Sequence, residues 1–263
     1  MSNVRTITVN TTAGAVEVTI TEEGEGRPFL LLHGGAGPQS VLRFAGLLAA
    51  TEPALVVTPS HPGFAGTTRP EGLATMRGLA GVYVALLDAL DLHDVTVVGN
   101  SIGGWIAAEV ALLGSGRVSG LVVVDGGGLR IEEHPAADFF ALGMDQVINL
   151  SYRDPERFRI DLTAMPPEQR AGMAANRAAL QAYGGATMDD PTLLERLPAI
   201  AIPTLVVWGE ADRMIPVEHG HAYAEAIPGA ELRLIREAGH LPQLETPELL
   251  ARLVWGFATG HAA

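Results

Sequence analysis

Ser101 is flanked by glycines at the spacing Gly99-x-Ser101-x-Gly103. Residues 95–98 are apolar or β-branched and predict a buried strand, whereas residues 105–113 are rich in helix formers. A serine in this context would lie on a strained strand-to-helix turn, with its hydroxyl above the sheet. Glycine suits the flanking positions because strand and helix pass so close that a Cβ atom would collide. The pattern therefore predicts a nucleophilic serine.

Two other interpretations of this pattern stay open. A five-residue pattern with two free positions also occurs in ordinary loops. The other is a dinucleotide-binding turn, since the later strand predicted at residues 121–124 ends in Asp125. That turn needs a middle glycine so that the backbone can approach a pyrophosphate. Ser101 occupies this middle position, and its side chain disfavours nucleotide binding.

An acid and a base follow the serine in the chain. A serine hydroxyl is a weak nucleophile that needs a base within hydrogen-bond reach, itself oriented by a third group. Asp212 comes just after a strand predicted at residues 203–208, and His240 comes after one predicted at residues 231–235. The order serine, aspartate, histidine, each after a strand, predicts a catalytic triad.

A glycine-rich loop follows the apolar run at residues 29–32. It contains His33, Gly34 and Gly35. Glycines at the carboxyl end of a strand allow backbone N–H groups to point into the crevice where α/β sheets bind ligands. The loop is interpreted as half of an oxyanion hole, with an ordinary turn as the alternative. His33 is expected to be a structural hydrogen-bonding residue.

The elements that would position these groups alternate between strands and helices. This alternation predicts an α/β fold with a doubly wound, mostly parallel sheet, preceded by an antiparallel hairpin at residues 5–21. Residues 128–197 contain no strand pattern and predict a helical cap inserted into a core of residues 1–127 and 198–263. A run of ordinary surface helices is the alternative for this segment.

Composition limits the classes of partner. The chain has 263 residues, a net charge of −13 and no cysteine, and all 17 basic residues are arginine. The negative charge disfavours nucleic acid and anionic membranes, and the absence of cysteine excludes thiolate chemistry. No signal peptide and no membrane-spanning run is recognised, so a cytoplasmic location is expected. His219 and His221 lack further clustered ligands, so no metal site is predicted. The oligomeric state stays open, and a homo-oligomer is compatible with the sequence.

Over nearly its whole length the chain resembles α/β-hydrolase fold proteins of the capped, single-domain kind. The motifs that carry the resemblance are His33-Gly34-Gly35, Gly99-Asn100-Ser101-Ile102-Gly103-Gly104, Gly209-Glu210-Ala211-Asp212 and Gly239-His240. It implies that Ser101 is the nucleophile, that His240 acts as base and then acid, and that Asp212 orients His240. It also implies an oxyanion hole formed by the N–H groups of Gly35 and Ile102, and no cofactor. Some relatives use a residue at the position of Asp125 as the acid instead.

The loop of His33 and the elbow around Ser101 are also similar to those of meta-cleavage product hydrolases, which break carbon–carbon bonds. That branch commonly has tryptophan after the catalytic histidine, whereas this chain has Leu241. It also uses a cap arginine for the substrate carboxylate. The sequence does not choose among the candidates Arg153, Arg157, Arg159, Arg170 and Arg177.

Three hypotheses about function follow. The leading one is a cofactor-free serine hydrolase of small carboxylic esters or related acyl substrates, in which Gly34, Asn100 and Leu241 contact the small-molecule substrate. The second is a carbon–carbon bond hydrolase of the meta-cleavage type. The third is a non-hydrolytic member of the fold that binds or rearranges its ligand, because a fold alone does not fix the chemistry.

Overall fold

The computed structural model describes residues 2–159 and 164–260. The strands are β1 (Asn3–Thr11), β2 (Gly14–Gly24), β3 (Arg27–Leu32), β4 (Ala54–Pro59), β5 (Val95–Asn100), β6 (Val118–Val124), β7 (Thr204–Gly209) and β8 (Glu231–Ile235). They form one sheet in the order β1-β2-β4-β3-β5-β6-β7-β8. Strands β1 and β2 pair antiparallel, and β2 also pairs antiparallel with β4. The pairings that follow in the sheet order, from β4–β3 to β7–β8, are all parallel. The predicted fold class is confirmed.

Helices cover both faces of the sheet. They are α1 (Gln39–Thr51), α2 (Met76–Ala89), α3 (Ile102–Leu112), α4 (Met144–Ser151), α5 (Pro167–Gly184), α6 (Leu193–Arg196), α7 (Val217–Ala226), α8 (Pro242–Glu245) and α9 (Pro247–Gly260). The apolar sides of α1 and α9 pack together in one buried cluster, and those of α2, α3 and α7 belong to a second, larger cluster. Within the described ranges, no helix is both long and apolar enough to span a bilayer.

The central strands are buried on both faces. Every residue of β5 and of β7 is buried, which explains why these strands appear in the sequence as continuous apolar runs. Their carboxyl ends lie at the same edge of the sheet because their pairings are parallel. Residues that follow these strands are therefore brought together, however far apart they lie in the chain.

The segment between β6 and β7 contains α4, α5, α6 and short 3₁₀ helices. It covers the predicted cap, apart from residues 160–163, which lie outside the described residues. Within it, an isolated parallel bridge joins Gly128 to Asp189. The Arg130 guanidinium and the Asp189 carboxylate pair across this bridge at 2.7 Å.

Candidate active site

Ser101 lies on the turn between β5 and α3. Its backbone has φ of 58° and ψ of −122°, a strained conformation for a residue with a side chain. The flanking glycines permit this turn. A Cβ atom added to Gly99 would lie 2.0 Å from the Gly103 carbonyl oxygen, and one added to Gly103 would lie 2.2 Å from the Leu32 carbonyl oxygen. The collision expected from the sequence is therefore present in the structure.

Asp212 and His240 form a buried pair. Nδ1 of His240 donates to Oδ2 of Asp212 over 2.8 Å. The other oxygen, Oδ1, accepts the backbone N–H groups of Met214 at 2.8 Å and Ile215 at 2.9 Å. Three donors fix the orientation of this carboxyl group. The arrangement places the Nδ1 proton of His240 against the carboxylate and leaves Nε2 free of that contact.

The backbone of His240 is held on both sides. Its N–H donates to the Ser151 carbonyl at the end of α4 over 2.7 Å, and its C=O accepts from Nδ2 of Asn100 over 2.9 Å. The Asn100 amide also donates to the Val124 carbonyl and accepts from Nε2 of Gln243. Asn100 was expected to contact substrate; it lines the cavity, but both ends of its amide have protein partners.

A network of buried side chains holds the glycine-rich loop after β3. Nδ1–H of His33 donates to the Gly34 carbonyl at 2.7 Å, and Nε2 of His33 accepts the backbone N–H of His61 at 3.1 Å. Nε2–H of His61 donates to the His33 carbonyl at 2.8 Å, and the Tyr83 hydroxyl donates to Nδ1 of His61. Each ring then carries one proton. Burial lowers the pKa of His33 well below its usual range and lowers the pKa of His61 to about 4.

This loop runs beside the serine. A Cβ atom added to Gly34 would lie 3.0 Å from Cβ of Ser101, so the loop approaches the serine closely. Gly35 and Ile102 both line the cavity above Ser101. Ile102 is the first residue of α3, and the N–H groups of a first helical turn have no intrahelical acceptor. The geometry is compatible with two N–H groups serving one oxyanion.

Asp125 lies directly beneath this arrangement. It follows β6 and is 0% exposed, and its Oδ1 accepts the Gly209 N–H at 2.9 Å. Burial raises the pKa of Asp125 well above its ordinary value, and the negative charge of Asp212 raises it further. The histidine hydrogen bond goes to Asp212, whereas Asp125, the alternative acid, makes no such bond to His240.

A cavity of about 480 Å³ opens above Ser101 and His240, within the range of small-molecule sites. Gly34, Gly35 and Leu241 also line it. Most of its other walls come from the segment between β6 and β7, with apolar side chains that include Leu129, Ile131, Phe139, Met144, Val147, Ile148, Met173, Leu180 and Met188. The structure therefore suits a mainly apolar small molecule.

Of the five arginine candidates for a substrate carboxylate, Arg177 on α5 lines the cavity and the other four do not. Its Nη2 donates to the carbonyls of Phe139 and Phe140 at 3.0 and 2.7 Å, and its guanidinium lies over both rings. Arg153 instead pairs with Glu237 at the surface. Helical spacing alone could not select Arg177, because the choice depends on how α5 docks on the core.

Sequence reasoning missed His61, Tyr83 and Gln243. His61 was detectable: it follows β4 as His33 follows β3, and neighbouring parallel strands bring such residues together. Tyr83 and Gln243 carried no signal, since each lies on a helix and its contact depends on how that helix docks on the core. His219 is buried on α7 and donates to the His134 carbonyl, whereas His221 is exposed.

The chain is similar to several known proteins. A model of the alpha/beta hydrolase family matches residues 29–253. The 2-hydroxy-6-oxo-6-(2'-aminophenyl)hexa-2,4-dienoic acid hydrolase of Metapseudomonas resinovorans is 28% identical over 95% of this chain and 90% of its own length. An esterase from Thermogutta terrifontis superposes with a TM-score of 0.79 at 24% identity, over 99% of this chain and 100% of that one. Est816, described as an N-acyl homoserine lactone degrading enzyme, superposes with a TM-score of 0.74 at 28% identity, over 95% of this chain and 100% of that one.

Proposed function

Because the chain belongs to the alpha/beta hydrolase family, we propose that it is a serine hydrolase that cleaves small carboxylic esters through Ser101, His240 and Asp212. The observation that carries the proposal is the convergence at one cavity of a serine on a strained turn and a histidine paired with a buried carboxylate. Similarity to a lactone-degrading protein supports ester chemistry, because a lactone is a cyclic ester.

The proposed reaction has two halves. Oγ of Ser101 attacks the ester carbonyl while Nε2 of His240 takes the hydroxyl proton. The electrons of the carbonyl double bond move onto its oxygen, and the N–H groups of Gly35 and Ile102 stabilise the resulting oxyanion. The tetrahedral intermediate then collapses, and the alcohol leaves with the proton from His240. Water, deprotonated by His240, attacks the acyl-enzyme and releases the acid. The Asp212 carboxylate stabilises the imidazolium, and each oxyanion donor is expected to contribute about 10²–10³ in rate.

The segment of residues 128–197 acts in this proposal as a cap that selects the substrate. It supplies most of the apolar cavity wall, and the Ser151 carbonyl on this segment holds the backbone of His240. Leu180 on α5 packs against Gly35, since a Cβ atom added there would lie 3.1 Å from its Cδ2. Movement of the cap would therefore alter the histidine loop and the oxyanion loop together.

Carbon–carbon bond hydrolysis is the second candidate function. Two observations favour it: Arg177 lies at the cavity, where it could bind a substrate carboxylate, and a dienoic acid hydrolase is 28% identical over most of the chain. The proposed ester reaction needs no carboxylate on the substrate. The two candidates therefore differ in how strongly turnover depends on Arg177.

Labelling by a fluorophosphonate tests the serine. Wild-type protein is expected to gain one adduct by intact mass, and Ser101→Ala none. Ser40→Ala is the matched control, because Ser40 lines the same cavity but its hydroxyl donates to the Gly37 carbonyl. An adduct on folded Ser101→Ala would refute the assignment. A folded wild type without any adduct would favour the non-hydrolytic alternative.

Substrate profiling separates the two reactions. Nitrophenyl esters of short neutral acids are compared with 2-hydroxy-6-oxo-dienoic acids in wild type and Arg177→Leu. For an esterase, neutral esters are the better substrates and the substitution changes their KM by less than about threefold. For a carbon–carbon hydrolase, dienoic acids are the better substrates. Arg177→Leu then raises their KM by about tenfold or more, because an ion pair to the carboxylate is lost.

A further inference from the structure

Two carboxyl groups are buried side by side beneath the candidate active site. Asp125 follows β6, Asp212 lies beyond the end of the neighbouring β7, and both side chains are 0% exposed. One oxygen of each carboxyl group and one ring nitrogen of His240 lie within 4.8 Å of one another. Two ionised carboxylates at such a separation, away from water, repel strongly. One of them is therefore expected to hold a proton.

The hydrogen bonds decide which carboxyl group is protonated. Asp212 accepts three donors, two backbone N–H groups and the ring of His240, so both of its oxygens already act as acceptors. Asp125 accepts one backbone N–H, from Gly209, on Oδ1. Its Oδ2 is buried and, in the ionised form, has no hydrogen-bond partner. A proton on Oδ2 gives that atom a partner, because it can then donate to Asp212.

We propose that Asp125 is a neutral carboxylic acid that donates a hydrogen bond to Asp212 and acts as a positioning residue for the Asp212–His240 pair. With this proton Asp125 carries no charge, so Asp212 is the carboxyl group of the pair that contributes negative charge next to His240. Burial raises the pKa of Asp125, as do the charge of Asp212, a hydrogen bond between the two carboxyl groups and the more distant Glu245; only the Gly209 N–H opposes them. The kinetic consequence rests on the proposed function, but the location of the proton does not.

Infrared spectroscopy tests the proton directly. At about pH 6.5 ordinary carboxyl groups are ionised, so a buried protonated one contributes an isolated C=O stretch. The difference spectrum of wild type minus Asp125→Asn is expected to contain this band, with a shift in D₂O. The difference spectrum for Glu17→Gln, an exposed carboxyl group on β2, should lack it. Absence of the band from the Asp125 spectrum would overturn the proposal, whether or not the protein is an esterase.

The pH profile of kcat/KM tests the positioning role. Its ascending limb reports the ionisation of the histidine base in the free enzyme. Asp125→Asn keeps a neutral donor, so the limb is expected to move by less than about 0.3 pH unit. If Asp125 were ionised, the substitution would remove a negative charge beside His240 and move the limb to lower pH by about one unit, which would refute the proposal.

Asp125→Leu is the complementary variant, since it removes the donor while keeping a similar size. Asp212 without this donor holds the imidazolium more tightly, so the limb should move to higher pH. We expect Asp125→Asn to retain kcat/KM about tenfold above Asp125→Leu. Equal losses in both variants, without movement of the limb, would show a structural role and contradict the proposal. If Asp125→Leu does not fold, the proposal is tested by the ascending limb of the pH profile of Asp125→Asn and by the infrared band.

Discussion

The buried imidazole of His61 makes the stability of the fold depend on pH. His61 is 0% exposed, and burial lowers its pKa from an ordinary 6.5 to about 4. In the unfolded chain this residue binds a proton below pH 6.5, whereas in the folded chain it stays neutral until about pH 4. The free energy of unfolding therefore falls as the pH drops through this interval. Above pH 6.5 both states are neutral and the contribution is complete.

The size of the effect follows from the interval. One proton difference changes the free energy of unfolding by about 1.36 kcal/mol per pH unit. Between pH 6.5 and about 4, His61 alone then removes about 3 kcal/mol, a large share of the stability of an ordinary domain. The pKa of His33 is also well below its usual range, so His33 acts in the same direction.

Urea unfolding of wild type and His61→Gln, followed by circular dichroism from pH 7 downwards, measures this contribution. At pH 7 the variant is less stable, because glutamine cannot reproduce the contacts of His61 with both His33 and Tyr83. The difference between the two proteins should narrow by about 2 kcal/mol between pH 6.5 and pH 5. His221→Gln, at an exposed position on α7, is the control for replacing a histidine by glutamine outside the buried network. A constant difference for His61→Gln would refute the reasoning.

Two further predictions concern packing and charge. Gly103→Ala should lower the free energy of unfolding by about 3 kcal/mol, because its Cβ would lie 2.2 Å from a backbone oxygen. In the control Gly81→Ala, on α2, the new Cβ meets nothing within 4 Å, so the free energy of unfolding should change by less than about 1 kcal/mol. Equal urea midpoints would contradict this. Glu109→Gln should destabilise by about 2 kcal/mol, because Glu109 is 1% exposed and pairs with Arg196 at 2.6 Å. The same change at exposed Glu17 should have little effect, and similar losses at both sites would exclude a special role for the buried pair.

The sequence contained most of the fold because local patterns specify it. The continuous apolar runs of β5 and β7 correspond to strands buried on both faces. The alternation in residues 5–21 corresponds to the antiparallel hairpin. Helix α5 begins at Pro167, because proline suits a first helical turn. These features depend on residues that are neighbours in the chain.

Contacts between distant segments were not predictable. The choice of Arg177 over four other arginines depends on the docking of α5, and the engagement of Asn100 by His240 and Gln243 joins positions about 140 residues apart. A single sequence contains the residue types for such contacts but no measure of their distance. The order of Ser101, Asp212 and His240 was informative for a different reason. Parallel strands bring their carboxyl ends to one edge of the sheet, so residues that follow such strands are expected to be close in space even when they are far apart in the chain.

The chain has a net charge of −13, yet several titratable groups buried around the candidate active site are neutral. This limits the charge that acts on His240. The pKa values of His33 and His61 are lowered by burial, so both rings are neutral at pH 7 and serve only as hydrogen-bond partners for the glycine-rich loop. With Asp125 protonated, as we propose, Asp212 is the carboxyl group that accepts the hydrogen bond of His240. Any second charge at this depth would act on the histidine with little screening by water. A substitution that places a charged side chain at one of these buried neutral positions should therefore shift the pH profile of turnover, even though Ser101 itself is unchanged.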